Sequence, residues 1–99
     1  TTLSWYETLP EHCRQKVCAY TGTTDEKNIG YGLIKTALSS IATYAIYPLQ
    51  DLLFCGDEGR MNTPGKATGN WSWRFRAQDL KPEYADTLRK LTLLYGRFD

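Results

Sequence analysis

Tyr44-Ala45-Ile46-Tyr47-Pro48-Leu49, running on into Gln50-Asp51-Leu52-Leu53-Phe54, is the stretch that decides how this chain is read. Its first six residues are aromatic, branched or apolar at both alternating positions, and Pro48 excludes a helix interior. They predict a strand that is apolar on both sides. Such a strand belongs in a parallel sheet covered by helices. No second convincing strand can be found elsewhere in the chain. A lone buried strand leaves backbone N–H and C=O groups unpaired, at roughly 1–3 kcal/mol each. The expectation is that the sequence needs strands it does not contain.

The flanks read as helices. Pro10 suits a first turn, Arg14, Gln15 and Lys16 oppose Val17 and Cys18, and Gly22 is a stop, which gives a helix from Pro10 to about Tyr20. Thr23 to Asn28 is a polar turn in which Asp25 can cap a helix. A second helix is expected from about Ile29 to Ala42, with Ile29, Leu33, Ala37 and Ile41 as its stripe and Leu38 beside it. Gly30 and Gly32 weaken its first turn. The small residues Ala37, Ser39, Ser40 and Ala42 allow close packing on a flat partner. Residues 51–54 read as a short helical turn. Pro82 opens a last helix running to about Tyr95, with Leu88, Leu91 and Leu94, or Tyr84 and Leu91, turned inward before Gly96 ends it. Trp5, Tyr6 and Leu9 are too apolar for a free tail. The opening residues carry no methionine or evident capping turn, so the chain reads as beginning in the middle of something. Helix, helix, strand, polar loop, helix is a slice of an α/β protein built from a right-handed βα unit.

The totals set limits. At 99 residues the chain is one domain at most, with a modest core. A net charge of +1 lacks the cationic excess of a nucleic-acid-binding surface. No apolar run approaches the roughly 20 residues that span a bilayer, and no signal-peptide pattern is present. Cys13, Cys18 and Cys55 form an odd count that reads as free thiols rather than a disulfide framework. With His12 they do not make two close ligand pairs, so no metal site is expected. His12 beside Cys13 is no nucleophile pair, because adjacent helical residues diverge.

Between the predicted strand and the last helix lies Asp57-Glu58-Gly59-Arg60-Met61-Asn62-Thr63-Pro64-Gly65-Lys66-Ala67-Thr68-Gly69-Asn70-Trp71-Ser72-Trp73-Arg74-Phe75. If the strand belongs to a barrel, Gln50 and Asp51 sit at its C-terminal end, the face where barrel enzymes keep their active sites. Residues 56–75 are then the loop above it, and their contents suit sugar. Asn62 can donate to and accept from hydroxyls. Trp71 and Trp73 offer flat faces for pyranose C–H surfaces. Arg60 can hold a carboxylate in two-pronged geometry. Plainer readings stand beside these: Arg60 and Arg74 as surface ion pairs, one tryptophan as a core anchor, Asn62 as a turn residue before Pro64-Gly65, Asp51 as a helix cap. Asn70-Trp71-Ser72 is a glycosylation sequon, read as incidental here. Asp57 and Glu58 are adjacent and do not form the facing acid pair that glycoside chemistry requires.

Taken in order, Pro48-Leu49-Gln50-Asp51-Leu52-Leu53, Arg60-Met61-Asn62-Thr63-Pro64-Gly65 and Gly69-Asn70-Trp71-Ser72-Trp73-Arg74 resemble the C-terminal part of the 4-α-glucanotransferases of glycoside hydrolase family 77. Gly32-Leu33-Ile34 with Ala37-Leu38-Ser39-Ser40 and Ala42 looks like that family's helix before its last barrel strand, and Leu94-Tyr95-Gly96-Arg97 is similar to its ending. The resemblance implies the last part of a (β/α)8 barrel, residues 1–99 forming one segment: strand eight, flanking helices and the active-face loop 56–75. It implies retaining transfer of α-1,4-glucan segments between maltooligosaccharides, without metal or organic cofactor, in cytoplasm or plastid. Thr1-Thr2-Leu3-Ser4-Trp5-Tyr6 would follow a Gly-Thr-His-Asp-Asn segment holding the transition-state-stabilising aspartate. The nucleophile and the acid/base glutamate would lie further upstream. The 99 residues then contain no catalytic carboxylate and are expected to be inactive alone, their partners being glucan and the upstream barrel. By the same resemblance Asn62 lies at the substrate cleft, Arg60, Thr63, Pro64 and Gly65 shape its wall, and Gln50, Asp51 and Trp71 adjoin it. Phe54-Cys55-Gly56-Asp57-Glu58-Gly59 departs from the family's more usual Gly-Leu-Gly-Ser-Glu-Ala, which bears on substrate preference. A stand-alone glucan-binding module using Trp71, Trp73 and Asn62, or a ligand-free packing element, are the alternatives.

Overall fold

The computed structural model describes residues 1–98. Five α-helices run in order: α1 (Thr2–Glu7), α2 (Glu11–Thr21), α3 (Ile29–Ser39), α4 (Leu49–Leu52) and α5 (Pro82–Leu94). Single 3-10 turns at Glu26–Asn28, Asp57–Gly59 and Ala77–Asp79 punctuate the connections.

Local chemistry explains the boundaries. Pro10, extended at φ −60° and ψ 154°, stands immediately before α2, and Gly22 ends it in the left-handed region at φ 70°. Asp25 accepts a hydrogen bond from the Lys27 N–H at 3.1 Å, as its cap position predicted. The opening residues do carry a cap, contrary to expectation. Thr1 Oγ1 accepts from the Ser4 N–H, Ser4 Oγ accepts in return from the Thr1 backbone nitrogen, and α1 follows. The box was missed because serine, rather than the usual Glu or Gln, supplies its returning side chain.

No β-strand forms among the described residues. Residues 44–48 form no regular element, and the expected strand gives way to helix α4 at Leu49. The reason is the one anticipated: a strand needs a partner, and the described residues supply none. Its period-two character survives. Ala45 and Tyr47 pack on the core, whereas Tyr44 and Ile46 face outward, 81% and 92% exposed. That leaves an apolar face open and accounts for a looser shape. The radius of gyration is 14.7 Å, against about 13 Å for a compact chain of roughly 100 residues.

The core is Ile34 and Leu38 from α3, Leu52 from α4 and Leu91 from α5, flanked by Tyr31, Tyr47, Tyr84 and Leu88. Each such side chain contributes roughly 1.5–3 kcal/mol on full burial. The buried ridge of α3 is Gly30, Ile34 and Leu38. The expected stripe through Ile41 is overturned, because α3 stops at Ser39 and Ile41 lies wholly exposed. Gly30 and Gly32 are sites of close approach. A Cβ at Gly32 would lie 2.3 Å from Thr23 Oγ1, and one at Gly30 would lie 3.3 Å from the Asp51 backbone carbonyl. In α5 the alternative with Tyr84 and Leu91 inward is the one observed, while Leu94 is exposed.

Two polar junctions tie the layers. Tyr6, 1% exposed, donates its hydroxyl to Glu26 Oε1 at 2.8 Å and lies 3.1 Å from Cys18 Sγ. The Cys18 contact, burial and the Glu26 bond together push the Tyr6 hydroxyl well above its ordinary pKa. At the other end Arg97 gathers the frayed carbonyls beyond α3. Its Nε donates to the Leu38 carbonyl at 2.7 Å, and one terminal nitrogen donates to the Ala42 carbonyl at 2.8 Å and the Ser40 carbonyl at 3.2 Å. Longer contacts reach Ala37 and Thr43. A guanidinium thus performs the C-terminal capping that α3 lacks.

Candidate functional site

Three separated stretches converge on a concavity of about 410 Å³. Thr1, Ser4, Trp5 and Thr8 come from α1 and its end; Pro48 and Gln50 come from the start of α4; Gly59, Arg60, Met61 and Asn62 come from the polar loop. Of the residues singled out from sequence, Gln50, Arg60 and Asn62 are brought together here.

Gln50 is held from below, its Nε2 donating to the Gly59 carbonyl at 3.1 Å. Gly59 is buried and admits no side chain: a Cβ there would sit 2.8 Å from Cys55 Cβ and 3.1 Å from Gln50 Cγ. The Cys55 thiol beside it is pushed up in pKa, first by burial and then by the Glu58, Asp79 and Asp51 carboxylates. Arg60 folds back on its own loop. Its Nε donates to the Asn62 carbonyl at 2.9 Å, and its guanidinium lies 3.5 Å from Asp57. The ion pair is exposed and contributes little by itself. Its role in the geometry is to fix the turn that presents Asn62, whose side chain has no hydrogen bond within the described residues.

Asp51 is placed elsewhere. It is 5% exposed, accepts from the Thr2 N–H at 3.1 Å and also accepts from the Thr2 hydroxyl. An acidic side chain on the first N–H of α1 satisfies an orphan donor and favours the positive end of the helix. Asp51 therefore sets the position of the helix that carries Trp5. Thr63, Pro64 and Gly65 form the next turn, with Gly65 in the left-handed region at φ 86°. Asn70 staples that turn, accepting from the Thr63 N–H at 2.8 Å through Oδ1 and donating to the Lys66 carbonyl at 2.9 Å. The asparagine of the sequon is thus a loop clamp. Trp71 returns its N–H to the Met61 carbonyl with a left-handed φ of 60°, and its ring is 64% exposed beyond the concavity. Trp73 pairs with Phe75 at 6.2 Å.

Trp5 is the residue that sequence reasoning passed over. It is 48% exposed and, among the described residues, supplies the aromatic ring lining the concavity. The signal was available, since an i, i+1 pair of Trp5 and Tyr6 on a short helix must send its rings to different sides. Apolar ring, amide groups and a cationic rim together suit a polyhydroxylated ligand.

Comparison with known proteins gives the same picture. Residues 1–80 match the glycoside hydrolase family 77 model, described as 4-alpha-glucanotransferase. A 4-alpha-glucanotransferase of Synechocystis is 43% identical over 97 residues, covering 98% of this chain and 19% of that protein. The chloroplastic/amyloplastic 4-alpha-glucanotransferase of Solanum tuberosum is 40% identical over 100 residues, covering 98% and 17%. Among solved structures, the amylomaltase from Streptococcus agalactiae in complex with acarbose superposes with a TM-score of 0.91 at 27% identity, covering 100% of this chain and 20% of that one. The chain spans about one fifth of the length of the relatives it matches. With the motifs, the fold and these matches in agreement, the chain belongs to the 4-alpha-glucanotransferase family.

Proposed function

We propose that residues 1–99 form one wall of the glucan cleft in a 4-α-glucanotransferase, which transfers α-1,4-glucan segments between maltooligosaccharides with retention. In this reading α3, segment 44–48, and α5 are the last units of a (β/α)8 barrel, and residues 56–75 are its active-face loop. The carrying observation is the convergence of Trp5, Gln50, Arg60 and Asn62 on one concavity from three separated stretches. Asn62 and Gln50 address sugar hydroxyls, and Trp5 packs on a pyranose face. Arg60, Thr63, Pro64 and Gly65 shape the turn that presents Asn62. Asp51 acts by seating α1, and Trp71 borders the loop. The catalytic carboxylates lie outside these residues, and the chemistry requires no metal or organic cofactor. The acarbose carried by the amylomaltase neighbour supports an oligosaccharide ligand. Cytoplasm or plastid is the setting that fits; among the described residues no helix is long and apolar enough to cross a membrane.

The test is a graft. The 99 residues replace the matching segment of the Synechocystis relative, and disproportionation of maltotriose is followed. The folded graft should form glucose and longer maltooligosaccharides, whereas the 99 residues alone should leave maltotriose intact. Asn62→Ala in the graft should lower kcat/KM by about tenfold, the loss of a directed hydrogen bond at the site. A folded but inactive graft, or glucose release by the isolated chain, overturns the reading.

A further inference from the structure

The two amides of the cleft wall are held differently. Asn62 has no side-chain hydrogen bond among the described residues, so it can present either end of its amide. Gln50 cannot. Its Nε2 donates to the Gly59 carbonyl at 3.1 Å, and a carbonyl only accepts. Turned over, the amide would set Oε1 against that carbonyl, oxygen facing oxygen.

The carbonyl does not yield. Gly59 is buried, and its own N–H donates to the Gly56 carbonyl at 3.1 Å. A Cβ at Gly59 would lie 3.1 Å from Gln50 Cγ and 3.3 Å from Thr1 Cγ2, so the stem of the Gln50 side chain is packed as closely as its end is bonded. The Gln50 backbone is fixed as well, its carbonyl accepting from the Cys55 N–H at 2.9 Å. What remains for a ligand is Oε1. It accepts nothing among the described residues. Nor is it buried, since Arg14 Nε is the one buried side-chain nitrogen or oxygen among them without a partner. An oxygen held in one orientation at the concavity favours a donor and disfavours an acceptor in the same place.

We propose that Gln50 is a specificity-determining residue of the cleft wall: its locked amide accepts a hydrogen bond from one sugar hydroxyl and requires that hydroxyl to be a donor. The inference rests on the transferase reading for its ligand and deepens it. The hydroxyl facing Asn62 carries no such requirement, because that amide can turn over and donate.

The experiment uses the graft and S-linked maltotriosides, which resist cleavage, with binding followed by isothermal titration. Each hydroxyl in turn is replaced by hydrogen, which neither donates nor accepts, or by fluorine, which accepts weakly and cannot donate. At one position or more, both replacements should weaken binding by about tenfold, the loss of one directed hydrogen bond. At one of these positions Gln50→Met, similar in length but without the amide, should abolish the difference between the native and the fluorinated ligand. Fluorine tolerated at every position in the unmutated graft overturns the proposal without any variant. A Gln50→Met graft that weakens all ligands alike makes Gln50 a structural residue and also overturns it, as does one that binds the unmodified ligand as tightly as the parent. In each of these cases the cleft reading stands where Asn62→Ala still weakens binding. If neither variant changes affinity, both readings fail.

Discussion

Arg97 offers the sharpest test of how this chain is held together. In Arg97→Ala, the carbonyls of Leu38 and Ala42 lose donors at 2.7 and 2.8 Å, and that of Ser40 loses one at 3.2 Å. Hydrogen bonds to a charged group contribute about 1.5–3 kcal/mol each. The contributions differ in how water can replace them. Ser40 and Ala42 are exposed, so their carbonyls rehydrate when the guanidinium is removed. Leu38 is 5% exposed, and its carbonyl has poorer access to water. The two contacts near 3.5 Å to Ala37 and Thr43 add little. One strong bond plus a discounted remainder gives a cost of about 2–3 kcal/mol. For a chain of this size that is a fall in Tm of about 10 °C or more. Arg97→Lys keeps the charge but loses the fork, so it should recover less than half of the loss. Urea unfolding followed by circular dichroism, with thermal scans alongside, measures both variants. A loss below about 0.5 kcal/mol in Arg97→Ala, or a lysine variant as stable as the parent, would refute the capping role assigned to the guanidinium.

Three further outcomes are expected. Asn70→Ala should leave the Thr63 N–H without its partner and cost about 1 kcal/mol, visible as faster hydrogen exchange at Thr63 with α3 amides unchanged; equal protection at Thr63 would remove the clamp. Gly59→Ala should force its Cβ against Cys55 and Gln50 and cost about 1–3 kcal/mol, with the Gln50 side-chain amide signal displaced; an unshifted signal would contradict the close approach. For Tyr6 the raised pKa means the folded state retains its proton where the unfolded state releases it. Stability from this group is full below the ordinary tyrosine value near 10 and falls as pH climbs above it. Tyr6→Phe should therefore flatten the alkaline loss of stability, and an unchanged alkaline slope would show that another group governs it.

Much of the helical frame was legible because its signals are local. Pro10, Gly22, Asp25, Pro82 and Gly96 punctuate the chain at or beside the observed ends, through backbone effects that neighbours scarcely alter. The end of α3 was not legible, since Arg97 determines it from 59 residues away. Residues 44–49 read as a strand that does not form, because a ladder depends on a partner that periodicity within one segment cannot reveal. Of the residues lining the concavity, Arg60 and Asn62 were singled out by residue type and Gln50 by its place at the end of the predicted strand. The burial of Asp51 and the clamp made by Asn70 could not, because both depend on which groups stand opposite in space. Trp5 was hidden by the same limit: α1 is brought to the concavity by Asp51 and Gly56, both far along the chain.

That last tether has a consequence for the order of events. A helix of six residues cannot persist in water unaided. Besides the nearer contacts of Tyr6, its start is anchored 49 residues away, so the loop between them must close before Thr2 meets Asp51. Helix α1 should therefore assemble after α3 and α4 have brought Asp51 into place, and should be among the earliest elements to detach when the chain opens. The ring of Trp5 would then enter and leave the wall on the timescale of that docking, making one side of the concavity a late and reversible addition to a floor already set.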